Sequence, residues 1–528
     1  MNVCAARRCF SCSAHPASFV GGGGNGAVTK LSYRATPLCR QGGVVSSQPM
    51  RGSLLVFSAL IAAGTSLTEC NSTSPCASCA DADTAPPVSG GGCDSSKPLS
   101  QGGCAVDDSD GFFVSPMGSD SGNGAKATPF LTIQKGITAA AAAPLKPNVY
   151  VCAGTYPENL VIQNSPSGVG LHGGFDCTSW AQVNAATTAA PPYMTTVTPQ
   201  YVVYVVGVAA LVESMTLVAP DATDPGVSSI AVYVSGSPAI TFRRATVKSG
   251  VGADGASPMT LAALAPNTAG NPSVAFGGGA AQNCTCPTVD TIGGQGGDVD
   301  VDGGGPTNGS PIIAGSADAG QIGTLGPGCS GGNGASGLPA QNGNSTGTLG
   351  ELTANGWLAS PGGAGAAGGT AQGGAGAYWF DGNSTGGGGG ACGGCGGSGG
   401  IGGGGGGASI ALGTVGTMIV RVQGSTFTSG NAGNGGNGAA GQPGQPGGVG
   451  GMGFMAYCNG GNGGTGGAGG AAGGGAGGVS IAIATSIIMP DIDSQSAVLA
   501  GNAGHGGVDG TAQHAKAIDG IASPTHTF

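Results

Sequence analysis

One short segment occurs three times, and long glycine-rich stretches separate the copies. Ser229-Ile230-Ala231-Val232, Ser409-Ile410-Ala411-Leu412 and Ser480-Ile481-Ala482-Ile483 each lead, at the same offset of 21 residues, to a glycine: Gly250, Gly430 and Gly501. An apolar residue, Val247, Phe427 or Val498, stands at the same phase within each copy. A fixed period of about 20 residues marks a coiled repeat, in which no unit buries its own apolar face and stacked neighbours bury it together. Alternate apolar residues in each copy fit strands of one coil. All three copies enter glycine at the same phase, so the glycine tracts read as excursions from one corner of successive coils. Residues 229–250, 409–430 and 480–501 are therefore expected to stack as neighbours. Loop closure grows only logarithmically with length, so even the tract 251–408 is tolerable.

Composition agrees with strands rather than helices. Glycine supplies 115 of 528 residues, while charged residues are 8% and aromatics 5%. No strict Gly-X-Y period runs through the chain, which excludes collagen. The other residues are rich in Val, Ile, Thr, Ala and Ser, which suit a pleated surface. The tracts Gly386–Gly390, Gly402–Gly407 and Gly460–Gly478 permit two states: flexible loops, or extended polyglycine helices packed side by side. They resemble the glycine-rich repeats of PGRS-type surface proteins. A net charge of −10 argues against nucleic-acid and anionic-membrane partners.

The N-terminal region carries an export signal that does not start at residue 1. Met50-Arg51-Gly52-Ser53 precedes the apolar run Leu54–Ala63, the pattern of a secretory signal peptide and too short to span a bilayer. Residues 1–49 read as an unusual leader or a misplaced translation start. Residues 50–70 are the signal peptide. Leu67-Thr68-Glu69-Cys70 resembles a bacterial lipobox, which makes Cys70 the lipidation candidate and a lipid the one route to a membrane. Glu69 departs from that pattern, and Ala62-Ala63-Gly64 offers ordinary cleavage instead. Residues 71–110 have the composition of a tether.

Of 17 cysteines, four precede Met50 and one is Cys70; the remaining twelve suit pairing in an oxidising compartment. Cys152 and Cys177 flank one strand-rich segment and form the candidate disulfide. Cys76-x-x-Cys79 and Cys392-x-x-Cys395 lack second ligand pairs at zinc-finger spacing, so disulfides are expected there too.

The fold is expected to begin at Gly111. Phe112-Phe113-Val114-Ser115-Pro116 reads as a strand, Thr132 to Ala143 as a short helix stopped by Pro144, and Asn148–Cys152 as a strand. Val114-Ser115-Pro116-x-Gly118-Ser119-Asp120, then Pro129-Phe130-x-Thr132-Ile133-Gln134, then Val149-Tyr150-Val151-x-x-Gly154-Thr155-Tyr156-x-Glu158-Asn159 resembles the N-terminal cap of right-handed parallel β-helix proteins in the pectin-lyase-like superfamily. Leu171-His172-Gly173-Gly174-Phe175 also fits such exported bacterial proteins. The resemblance implies an all-β fold: a right-handed parallel β-helix, or solenoid, with a capping helix and long glycine-rich insertions. On this reading residues 111–250 hold the cap and first coils, 251–408 an insertion, 409–430 a coil, 431–479 a second insertion, and 480–528 the last coil.

Chemistry is sparse. Asp298, Asp300 and Asp302 alternate before Gly303, a spacing able to gather oxygens around calcium. Gly309 stands where an EF-hand needs glutamate, so a solvated acidic turn is the competing reading and calcium the sole cofactor candidate. Stacking would bring Arg421 near Arg243 or Arg244. Asp491 and Asp493 lack an identified acid, base or metal partner, and His505 lies alone in a glycine loop. No nucleophile elbow, phosphate loop or metalloprotease helix occurs. The sequence thus points to an exported structural or adhesive envelope protein whose partners are polysaccharide or other surface components. The competing reading is a polysaccharide-binding or lyase-like protein using Trp357, Tyr378, Trp379 and Phe380.

Overall fold

A computed structural model describes residues 106–528, except 184–185, 192–200, 300–304, 315, 317–318, 326–327 and 380–384. Cys70, Asp300, Asp302 and Phe380 therefore lie outside the described residues, as do the leader, the signal segment and the CxxC at Cys76.

The fold is built of parallel strands visited in rotation. After β1 (Gly111–Val114) and α1 (Ile133–Ala142), the first circuit is β2 (Asn148–Cys152), β3 (Gly154–Tyr156) and β4 (Leu160–Ile162). The second is β5 (Val169–Phe175), β6 (Thr187–Ala189) and β7 (Val203–Val206), and the third β8 (Ala210–Glu213), β9 (Thr216–Val218) and β10 (Ser229–Ser235). Then come β11 (Ile240–Arg243) and β12 (Thr246–Lys248), after which the chain leaves on the first glycine-rich excursion. That excursion holds two antiparallel hairpins, β13 (Gln282–Cys284) with β14 (Thr291–Gly293) and β15 (Gly350–Thr353) with β16 (Gly356–Ala359). The chain returns as β17 (Ser409–Val415), continues as β18 (Val420–Gln423) and β19 (Thr426–Thr428), and leaves again. It re-enters as β20 (Ser480–Thr485) and ends with β21 (Asp491–Ile492), β22 (Ala497–Leu499) and β23 (Ala522–Thr527).

Three parallel sheets result: β1-β2-β5-β8-β11-β18-β21, β3-β6-β9-β12-β19-β22 and β4-β7-β10-β17-β20-β23. Each circuit stacks on the one before, and like residues form columns. Leu160, Val203, Val232, Leu412 and Ile483 align in one sheet and are all fully buried. In the next, Leu217, Val247 and Phe427 align and are fully buried, with Val498 at the end only partly covered. The three sequence copies pair residue for residue, Ser229 with Ser409 and Ser409 with Ser480. The second residue of each copy points away from this core. Ile230, Ile410 and Ile481 instead pack in a separate cluster with Tyr201, Tyr233 and Leu352 of β15. The strand is buried on both faces, so its residues read as a continuous apolar run rather than an alternation.

The conserved phase of the copies has a direct cause at the corner where the glycine tracts leave. Ser409 Oγ donates to the Gly250 carbonyl (2.6 Å) and lies 2.9 Å from Ser249 Oγ; Ser480 Oγ donates to the Gly430 carbonyl (2.7 Å) and lies 3.0 Å from Ser429 Oγ. Ser229 Oγ accepts from Gly250 N at 2.9 Å. The three leading serines are completely buried, so each hydroxyl must find a partner inside the protein. Ser409 and Ser480 thus each fasten the return of an excursion to that excursion's own exit. Ser409→Ala leaves the Gly250 carbonyl short of a partner. It is expected to lower unfolding stability by about 1–3 kcal/mol, read from the denaturant midpoint of the full chain.

Helix α1 lies against the strands of the first circuit. Thr132 is its N-cap, and Ile133, Ile137 and Ala140 enter the main core. Two carboxylates hold its first turn: Asp120 accepts from Leu131 N and Thr132 N, and Glu158 accepts from Ile133 N and Gln134 N at 2.9–3.0 Å. Unpaired N–H groups at a helix start favour such acceptors. Gln134 also exchanges two hydrogen bonds with the backbone of Val161, at 2.7 and 3.1 Å. Its amide thereby takes the place of a neighbouring strand at β4, the last strand of its sheet.

The glycine-rich tracts are ordered. Segment 460–471 has the period Gly-Gly-X, and each of the three positions meets a different neighbour. Gly463, Gly466 and Gly469 donate to the carbonyls of Gly448, Gln445 and Gln442. Gly464, Gly467 and Gly470 donate to Gln372, Gly369 and Ala366, and accept from Gly394, Gly397 and Gly400. Asn462, Thr465 and Ala468 accept from Gly334, Gly337 and Ala340, and their side chains reach solvent. Three residues per turn, with every hydrogen bond made between segments and none within, is the geometry of a polyproline II helix. None of the glycines from Gly460 to Gly478 is left-handed. They are glycine because a Cβ would overlap a neighbouring backbone carbonyl: Leu338 at Gly467, Cys392 at Gly463 and Cys395 at Gly466. Close backbone approach, rather than turning, is the requirement met here.

The excursions keep the pairing of the coils they leave. Ser249 N donates to Thr428 O in the coil, and Gly252, Gly255, Gly270 and Ser273 donate to Asn431, Asn434, Val449 and Met452 at the same residue offset. The ladder changes its period from two to three without changing register.

Three disulfides lie in this bundle: Cys284–Cys392, Cys286–Cys395 and Cys329–Cys458. Cys152 and Cys177 are also bonded, with sulfurs 2.09 Å apart. Such pairs suit an oxidising environment. Among the described residues, no helix is long and apolar enough to cross a membrane.

Candidate functional site

The strand register gathers one group of charged side chains. On the sheet that begins with β1, Tyr150 of β2, His172 of β5, Glu213 of β8, Arg243 of β11 and Gln423 of β18 stand opposite one another in a row. Glu213 is only 4% exposed. His172 Nδ1 lies 2.6 Å from Glu213 Oε2, and Arg243 Nη1 lies 3.4 Å from Oε1, which Arg244 Nη2 also contacts. His172 Nε2 lies 3.1 Å from Asn148 Oδ1, and the Asn148 amide donates to the Asp110 carbonyl at 3.1 Å. An acceptor thus faces each ring nitrogen. The His172 ring packs beside Tyr150, centroids 5.5 Å apart.

Burial alone would raise the Glu213 carboxyl. The His172 hydrogen bond and charge, with the Arg243 and Arg244 guanidiniums, outweigh that effect and hold it at about 2. The carboxylate is consequently ionised at neutral pH and engaged on both oxygens. A general acid or base needs a proton affinity near the working pH, which this group lacks. What the arrangement does is bind three circuits to one another.

Arg244 adopts a left-handed backbone, φ 49°, where the next circuit has Gly424 with φ 52°. A non-glycine residue there is strained by about 1–2 kcal/mol. From that position its guanidinium contacts Glu213.

The other candidates are dispersed. Arg421 faces Thr241 and Asp491, two residues along from the Arg243 position, which corrects the expectation that it would join Arg243 or Arg244. Asp493 accepts from Gly424 N (2.9 Å) and Ser496 Oγ (2.6 Å), so it shapes a turn. Its hydrogen bonds, the Ser496 hydroxyl first, hold its carboxyl below the usual value. Asp298 accepts from Gly278 N. Among the described residues, no cluster of three His, Cys, Asp or Glu able to hold a metal occurs. His505 is exposed, 3.6 Å from Asp519. Cys392 and Cys395 each pair with a distant cysteine rather than sharing a ligand site. Trp357 packs on Phe528 at one place, while the Tyr378 and Trp379 rings lie side by side, tilted by 52°, at another.

Sequence reasoning did not single out His172 and Glu213 as partners. His172 sits within a motif read for fold alone. Glu213 interrupts the apolar run 201–218, which is the signal that a buried counter-charge exists elsewhere.

No protein-family model, curated protein or solved structure matches this chain.

Proposed function

We propose that the chain is an exported cell-envelope protein with a structural or adhesive role, built on a right-handed parallel β-helix capped by α1. The glycine-rich bundle is the part it displays, and Cys70 is its lipid anchor. The observation that carries this reading is the ordered bundle, locked to the coils by buried serines and stapled by three disulfides. Such construction favours rigidity in an oxidising space. The engaged state of Glu213 also favours a structural role for the charged row over a catalytic one.

The test is made on intact cells expressing the full chain. Modification by a membrane-impermeant reagent, together with a mature N-terminus at lipidated Cys70, is the expected result. A protein protected from that reagent and retaining free thiols at Cys284 and Cys392 would overturn the reading.

A further inference from the structure

The distal tip of the glycine bundle exposes aromatic and methionine side chains on a strained, disulfide-anchored platform. The limb 431–451 has no coil at its far end; at 3.1 Å per residue it reaches roughly 60 Å from the serine corner. There, segments 273–276 and 452–458 meet. Ser273 N donates to Met452 O (3.0 Å), Gly386 N to Ala275 O (3.0 Å) and Phe454 N to Gly386 O (3.4 Å). Phe276 is 61% exposed, Tyr457 51% and Met455 67%. Tyr378 and Trp379 join the same end. Their rings lie 5.2 Å apart; Tyr378 packs beside the Cys329–Cys458 disulfide, and Trp379 covers Gly297, two residues before the Val299 that donates to Phe276 O.

Two further observations bear on what this tip does. Ala275, Met455, Ala456 and Cys458 all adopt left-handed backbones, with φ of 50–63°, although none is glycine. Strain of this kind is retained where the surrounding structure holds a surface in a required shape. The charge pattern is the second. The chain has no Lys, Arg or His between Lys248 and Arg421, and no charged residue at all from 431 to 479. A partner bearing phosphate, sulfate or carboxylate would find no cation here. Rigid aromatic rings on a surface that offers no cation, with Asp298 its nearby charge, match the C–H faces of a neutral sugar chain, which need ring contact and no counter-charge.

We infer that this tip is a binding surface for an uncharged polysaccharide, with Phe276, Trp379 and Tyr457 as the contact rings. The inference rests on the display role proposed above and specifies what is displayed.

The experiment is co-sedimentation of the full chain with insoluble cellulose, chitin and β-1,3-glucan, with pectate and alginate as acidic controls. Binding to at least one uncharged polymer, unchanged at high salt, is expected. The triple variant Phe276→Ala, Trp379→Ala, Tyr457→Ala should bind at least about tenfold more weakly, as expected when stacked rings of about 0.5–1.5 kcal/mol each are lost, at an unaltered unfolding midpoint. Each ring also serves singly, so a variant that fails to fold is replaced by Tyr457→Ser alone, with a smaller loss. The inference is overturned if no uncharged polymer binds, if the variants bind as the native chain does, or if the tip instead drives self-association that the triple variant abolishes. Surface labelling of cells reads the display role separately, so a labelled chain that binds no polymer sinks this inference alone.

Discussion

Gly467→Ala is expected to disrupt the glycine-rich bundle, whereas Gly347→Ala should leave it intact or slightly stabilise it. Gly467 lies in the second excursion and Gly347 in the first, and neither native residue is left-handed. The difference lies in what a methyl group meets. At Gly467 it would overlap the Leu338 carbonyl, with Gly369 N close behind, and these are backbone atoms held by their own ladders. At Gly347 it meets nothing within 4 Å. Relieving the Gly467 overlap requires moving a whole segment, which breaks successive rungs. A cost above about 4 kcal/mol is expected, at the upper end of single substitutions. Gly347→Ala restricts the unfolded chain and should contribute about 0.4–1 kcal/mol of stability. Amide hydrogen exchange across 331–346 and 460–478 checks both: loss of protection in the first variant, none in the second. Equal behaviour of the two would show that the tract packs no more tightly than a flexible loop.

The second large effect concerns Glu213. Its carboxyl, ordinarily near 4.5, is held at about 2 in the folded chain by His172, Arg243 and Arg244. A depressed folded value stabilises the protein at pH above 4.5, and this contribution fades as the pH drops from 4.5 through 2. The full difference is about 3 kcal/mol. Glu213→Gln should remove that part of the acid dependence, so native and variant stabilities converge towards pH 2. Glu213→Ala should cost more at neutral pH, about 3–5 kcal/mol, because the largely buried Arg243 loses its counter-charge and His172 loses its hydrogen-bond partner. Urea titrations at stepped pH measure both. A Gln variant with an unchanged acid profile would show that the row carries no linked proton.

The two sites differ in how far they were legible beforehand. The Gly-Gly-X period of 460–471 is visible in the residues, but a glycine triplet is equally compatible with a solvated loop. What distinguishes the states is the set of carbonyls that close on Gly463, Gly466 and Gly467, and these come from segments more than sixty positions away. For Glu213, the partners arise from one residue per circuit, and no local pattern marks them. Arg421 shows the same limit from the other side: stacking was legible, yet the side-chain row depends on register to the residue, and a shift of two positions separates it from Glu213.

The residues by themselves determined the stacked repeat, its period, the phase at which glycine begins, the helix from Thr132 and the pairing of like positions in successive circuits. Those features follow from local rules: alternation of apolar side chains, capping at Thr132, arrest before Pro144 and recurrence of buried serine. Only the tertiary structure decided that the glycine tracts are ordered, which cysteines join there, and that His172, Glu213 and the two arginines meet. The physical reason is common to all three. A polyglycine segment makes no hydrogen bond within itself, a cysteine carries no record of its partner, and a charge is compensated by whichever strand stacks beside it. Each is therefore a property of neighbours in space, which the linear order of residues does not contain.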